Sequence, residues 1–159
     1  LFKLTTQLFF QPGAVMDLIY KTRVFSQGGR NGRVQSEDGT LKLDLAAPPE
    51  MGGKKPGANP EQLFAAAWAA CFENSVRHIV RADRLPVKGC MVEAEISLFK
   101  NFEEAYRMAI RFTTVLHGID QPTADSLVER ALKVCPYTDA TKNNVTVSAA
   151  AVLEAPATA

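Results

Sequence analysis

The chain has little of what would mark a disulfide scaffold, a membrane protein or a nucleic-acid binder. Its 159 residues include three cysteines, Cys71, Cys90 and Cys135. That number is odd and far too sparse for a disulfide-stapled secreted domain. It fits a reducing, cytosolic setting in which any disulfide would be transient and catalytic. No apolar run approaches the roughly 20 residues that span a bilayer, so no membrane segment is expected. An excess of one charge is missing as well. With 18 Lys and Arg against 17 Asp and Glu, the formal net charge is +1, which gives no global field to attract nucleic acid or an anionic surface. Internal repeats and long linkers are also absent.

What is present is an ordinary globular composition. Apolar residues make up 47% and charged residues 22%, enough for one domain with a proper core. The opening "LFKLTTQLFFQPGAV" has no convincing signal-peptide core or cleavage site. Residues 1–15 therefore read as an N-terminal extension outside the fold, of the kind an added leader or an early start site leaves. Residues 16–159 read as a single domain. "LIYKTRVFS" reads as a strand, "GGRNGR" as a turn, and "RVQSEDGTLKLDL" as a hairpin turning at Asp38-Gly39. A Pro/Gly-rich loop then leads to a helix signed by Asn59 as N-cap, Pro60 at its first position, Glu61 in its first turn and Gln62 at N3, running to about Asp83. Two strands follow within residues 87–119, then an amphipathic helix over "QPTADSLVERALKVC", a short turn or helical piece, and a closing strand in "VTVSAAAVLEA". Strands grouped before and after helices indicate an α+β fold rather than a doubly wound parallel sheet.

The long helix carries the question of function. Its stretch Ala65-Ala66-Ala67-Trp68-Ala69-Ala70 is apolar all round, which implies burial on more than one side. The same helix of a second subunit would fit against such small side chains, although a central helix within one subunit would look alike. Cys71 follows directly. A buried cysteine is by default inert packing. The second cysteine changes that balance, because Cys135 ends a helix and precedes Pro136 at a chain reversal. Free amide groups of the following segment could lower its pKa there. Two cysteines on separate helices can meet and form a reversible disulfide.

The motif "NPEQLFAAAWAACF", followed 64 residues after its cysteine by "VCPYTDAT", resembles the organic hydroperoxide resistance proteins, thiol peroxidases related to the osmotically inducible protein family. "GGRNGR" matches that family's Gly-Gly-Arg turn, and the resemblance spans about Leu18 to Leu153. It implies antiparallel sheets packed around long central helices in an intertwined homodimer. It also implies that Cys71 is the peroxidatic cysteine, Cys135 the resolving one, Arg30 the activating arginine and Glu61 the carboxylate that holds it. No bound cofactor is implied. The electron donor would be a dithiol, dihydrolipoamide or a lipoylated protein, and the substrate an organic hydroperoxide. Ala67-Trp68 stands where the family more often has Gly-Tyr, and Glu73-Asn74 where smaller apolar residues are commoner; these departures bear on pocket shape and substrate preference.

The chemistry makes its own demands. A thiolate attacks peroxide, whereas burial raises a thiol pKa. A guanidinium reverses that shift and stays charged in an apolar site, where it needs a carboxylate partner. Taken alone, Arg30 reads as a solvated turn residue, with Arg33 competing for the role, and Glu61 as an acidic residue favouring a helix N-terminus. Glu61 and Cys71 would lie about 15 Å apart on a straight helix. Either Arg30 bridges part of the gap, the helix breaks, or the pair comes from a partner subunit; an interfacial site is favoured. Trp68 and Phe72 read as core by default, with walling an apolar substrate pocket as the alternative. His78 reads as a polar helix residue, His117 has no clustered ligands, Cys90 is a bystander, and no metal site is expected. Two other functions remain open: a redox-sensing or ligand-binding dimer using the same thiols without turnover, and an osmotically inducible branch peroxidase.

Overall fold

Helix α1 (Pro60–Ala82) starts on a complete capping box. The Asn59 side chain accepts from the Gln62 amide at 2.8 Å, and the Gln62 side chain accepts from the Asn59 amide at 3.0 Å. Two of the N–H groups that a helix start leaves without partners are thereby satisfied, with Pro60 at a position that needs none. In this computed structural model, residues 17–103 and 105–153 are described. The extension expected over residues 1–15 lies outside them. No helix among the described residues is long and apolar enough to cross a membrane.

Two three-stranded sheets accompany the helices. The first is an antiparallel meander of β1 (Val24–Gln27), β2 (Arg33–Ser36) and β3 (Lys42–Asp44). The second contains β4 (Gly89–Lys100), β5 (Tyr106–His117) and β6 (Thr146–Val152). Between β5 and β6 the chain passes through α2 (Gln121–Val134) and α3 (Pro136–Ala140). That helical crossover lets β6 run parallel to β5, while β4 and β5 form an antiparallel hairpin. The α+β class stands, with one parallel pairing in a sheet expected to be antiparallel.

The core lies between α1, α2 and one face of the second sheet. Trp68, Phe72, Val76 and Ile79 of α1 meet Ile110, Phe112 and Leu116 of β5, with Leu127 and Val128 of α2 closing the layer. Phe72 stacks on Phe112 with ring centroids 4.7 Å apart. These positions follow helical spacing on α1 and alternate along β5, so each element turns one face inward. Ala66, Ala67 and Ala70 remain exposed on another face of α1. The all-round apolar character of this helix is thus only half explained by packing within one chain.

The first sheet differs from its sequence reading. A strand was expected over residues 18–26, but pairing begins at Val24, opposite Ser36, and residues 18–23 form no strand. Aromatic and β-branched propensity needs a partner strand, and β2 supplies four positions. Every residue of β1 is exposed, including Val24 and Phe25.

Candidate active site

Cys71 sits in the middle of α1, one position before fully buried Phe72, and is only partly covered. Cys135 terminates α2 in an extended conformation (φ −72°, ψ 119°), which turns the chain into α3 and leaves the cysteine fully buried. Their sulfurs lie 3.9 Å apart, and both thiols are free. A disulfide requires about 2.05 Å. The two thiols are therefore in contact but not bonded.

Burial pushes the Cys71 thiol above its ordinary pKa, and neighbouring Cys135 adds to the rise. The Tyr137 backbone amide opposes both. Its place in the first turn of α3 explains why this amide is available. Proline opens α3 at a position that needs no N–H, and the Tyr137 N–H that follows has no acceptor within the helix.

Arg30 and Glu61 form a second cluster. The Arg30 guanidinium grips the Glu61 carboxylate in a bidentate fork, with N–O distances of 2.7 and 2.5 Å. The hydrogen bonds from Arg30 hold the Glu61 carboxyl below the usual carboxylate range, and Glu61 in turn raises the Arg30 pKa. The loop carrying Arg30 owes its shape to its glycines. Gly28 has φ +80°, and a Cβ on Gly32 would fall 1.8 Å from the Gln27 carbonyl oxygen. The Asn31 side chain accepts from the Ala47 amide at 3.1 Å and anchors the loop. Arg33 is separated from this cluster. It belongs to β2 and donates to Asp44 of neighbouring β3 at 2.7 Å.

The two clusters do not meet within one chain. Helix α1 is continuous from Pro60 to Ala82, so Glu61 and Cys71 stand about 15 Å apart along its axis. A broken helix is ruled out, and Arg30 is committed to Glu61 instead of bridging toward the thiol. Arg30 and Glu61 instead help line a cavity of about 530 Å³, walled also by Met51, Leu98, Tyr106 and Met108. Trp68 and Phe72 are fully buried in the core and leave no surface for a substrate in the single chain.

The remaining candidates lie apart. His78 and His117 are exposed. Cys90, at the start of β4, is half-buried, and burial pushes its thiol up to about 11. Its carbonyl accepts from Arg77, which also pairs with Glu73 one turn earlier on α1. Sequence reasoning missed Thr138, whose hydroxyl accepts from the Trp68 indole at 3.3 Å. The available signal was that a buried tryptophan needs an acceptor for its N–H.

Comparison with known proteins is consistent across sequence and structure. The model of the OsmC-like protein family matches residues 52–150. Organic hydroperoxide resistance protein-like 2 of Staphylococcus saprophyticus is 40% identical over 136 residues, which cover 81% of this chain and 92% of that protein. Organic hydroperoxide resistance protein OhrA of Bacillus subtilis is 36% identical over 133 residues, covering 82% and 94%. Among solved structures, an organic hydroperoxide resistance protein from Legionella pneumophila superimposes with a TM-score of 0.83 at 39% identity, covering 86% of this chain and all of that one.

Proposed function

The chain belongs to the OsmC-like protein family, and on that premise we propose that it is a thiol-dependent peroxidase that reduces organic hydroperoxides to alcohols. The observation that supports this most directly is the 3.9 Å contact between Cys71 and Cys135. The Cys71 thiolate attacks the terminal oxygen of the hydroperoxide, the O–O bond breaks, and the alkoxide leaves with a proton as the alcohol. Cys71 is then a sulfenic acid. The Cys135 thiol condenses with it, releasing water and forming the disulfide. A dithiol such as dihydrolipoamide, free or on a lipoylated protein, reduces the disulfide by exchange and is itself oxidised to a cyclic disulfide.

The thiolate needs a cation that the single chain does not bring to it. The Arg30–Glu61 pair of a second copy supplies that charge in our reading, making the enzyme a homodimer with interfacial sites. The exposed Ala66, Ala67 and Ala70 face of α1 and the uncovered apolar residues of β1 support this arrangement. Small side chains allow close helix approach, and both surfaces carry apolar area that a partner would remove from water. Arginine suits the role because it stays charged and can donate to the developing alkoxide.

Steady-state consumption of an alkyl hydroperoxide tests the function. Turnover is expected with dihydrolipoamide and should be much weaker with thioredoxin; failure to turn over with either reductant would reject the peroxidase reading. The raised Cys71 pKa favours a second reading, a redox-sensing or ligand-binding dimer that oxidises slowly and once. Mass spectrometry after one equivalent of peroxide, with and without dithiol, separates the two. Within the peroxidase reading, Arg30→Ala is expected to slow Cys71 oxidation about ten-fold or more, because one charge-assisted contact to the reacting oxygen is lost. Arg33→Ala should do much less, since Arg33 is engaged with Asp44 on an exposed strand pair. Stopped-flow oxidation of both variants decides between them, and the assignment of Arg30 falls if Arg33→Ala is the slower enzyme.

A further inference from the structure

The C-terminal end of α1 carries charge that the thiol chemistry does not use. Between its last turns and the start of β4 lies a cavity of about 270 Å³, lined by Arg77, Arg81 and Lys88 together with Val80, Val87 and Cys90. Arg77 is fixed in place. Its Nε and Nη2 donate to one Glu73 carboxylate oxygen at 2.8 and 2.6 Å, and Nη2 also donates to the Cys90 carbonyl at 3.2 Å. Nη1 takes no part in these bonds. Arg81 and Lys88 form no ion pair with any described residue. Asp83, the next acid along the chain, is held by Arg130. Three cations are thus set against one carboxylate. Cations near a helix C-terminus often serve its free carbonyls. Here backbone amides already do so, because the carbonyls of Ile79, Val80 and Arg81 accept from the amides of Asp83, Leu85 and Arg84 at 2.9, 3.0 and 3.3 Å. Arg77 and Arg81 also stand one turn apart on one helix face, a spacing at which like charges repel.

We propose that this cavity is a binding site for a phosphate group, free or carried on a small molecule, and that Arg77, Arg81 and Lys88 hold it. A phosphate carries a charge of about −1.5 to −2 near neutral pH, which matches the surplus of cations over Glu73. The donor set suits it as well. Guanidinium groups present paired N–H donors to phosphate oxygens, and an ammonium adds a mobile point charge. Arg77 is already oriented by Glu73 and the Cys90 carbonyl, so little ordering is needed to use its remaining edge. Val80 and Val87 give the cavity an apolar wall on which the organic part of a phosphate monoester would lie. Arg77 and Arg81 belong to α1, whereas Lys88 enters β4, so one anion would bridge the two elements and relieve the repulsion within the helix. None of these residues takes part in the proposed peroxidase cycle, and the site stands whether or not that reading does.

The test is calorimetric titration of the full-length reduced protein with inorganic phosphate and, separately, with phenyl phosphate, at an ionic strength held constant with potassium chloride. Saturable binding at one site per chain is expected. Tighter binding of phenyl phosphate assigns the site to a monoester lying on the valines, and equal binding assigns it to the free ion. Arg81→Gln and Lys88→Gln should each weaken binding about ten-fold, the loss typical of one hydrogen bond to a charged group. Both side chains are exposed, so the core survives their replacement. Arg84→Gln removes the same charge just outside the cavity and should leave binding nearly unchanged. Cys90 supplies a local readout, because it lines the same space. Saturating phosphate is expected to slow its alkylation by iodoacetamide about three-fold or more, since an anion beside a thiol disfavours the thiolate and shields it. The Cys71 peptide in the same digest should be unaffected. Absence of saturable binding to either probe, equal weakening by Arg84→Gln, or protection of Cys90 that potassium chloride reproduces would each overturn the site.

Discussion

Cys71→Ser is expected to abolish hydroperoxide consumption. The reaction needs a sulfur anion that can accept oxygen and pass through a sulfenic acid, and a serine hydroxyl can do neither. Its pKa lies far above that of a thiol, and the same burial that pushes Cys71 upward would push it further. The exchange is nearly isosteric, and Cys71 is only partly covered, so packing around Trp68 and Phe72 should survive. Loss of activity with an unchanged thermal midpoint is the diagnostic combination. Cys90→Ser is the matching control. Cys90 is held near Arg77, about 9 Å further along α1 than Cys71, and activity there should be retained. Substantial turnover by Cys71→Ser would remove the mechanism at its root.

How far the chain could be read in advance depended on whether the signal was local. The start of α1 was legible to the residue, because Asn59, Pro60 and Gln62 form a capping device contained in four positions. The β4–β5 hairpin was legible through alternation. Signals that depend on distant partners were not. Residues 18–23 have strand composition but no strand to pair with in the described chain, so β1 is confined to Val24–Gln27. Nothing in "VTVSAAAV" reveals that β6 runs parallel to β5, since direction is set by the α2–α3 crossover. The pairing of Cys71 with Cys135 came from resemblance to a family and not from spacing, because residues so far apart meet only through the packing of α1 on α2. Arg30 and Arg33 could not be told apart by composition. The backbone separates them, placing Arg30 in a glycine-shaped loop above α1 and Arg33 on a strand facing Asp44. The apolar first half of α1 reads as two-sided, whereas one chain buries only one side, and the other is the surface on which the proposed dimer depends.

Cys135→Ser is expected to separate the first step of the cycle from the rest. Reduction of one hydroperoxide needs only the Cys71 thiolate, so the first equivalent should be consumed at least as fast as in the wild type. The sign of the pKa effect supports this. Cys135 raises the Cys71 pKa through its charge and its hydrogen bond, so replacing it with a neutral hydroxyl should lower the pKa and move the pH profile of the first oxidation downward. Burial still raises it, so the profile shifts without collapsing. After that step the variant has no thiol within reach of the sulfenic acid. Cys90 cannot substitute, because it lies near Arg77 and burial pushes its pKa up to about 11. Further peroxide should therefore drive Cys71 to sulfinic and sulfonic acid, species that a dithiol does not reverse. Activity would die after about one turnover per site, with mass gains of two and three oxygens on the Cys71 peptide. Under the same mild oxidation the wild type should yield an intramolecular Cys71–Cys135 disulfide with Cys90 still reduced. A Cys71–Cys90 disulfide, one joining two subunits, or sustained turnover by Cys135→Ser would each take the resolving role away from Cys135.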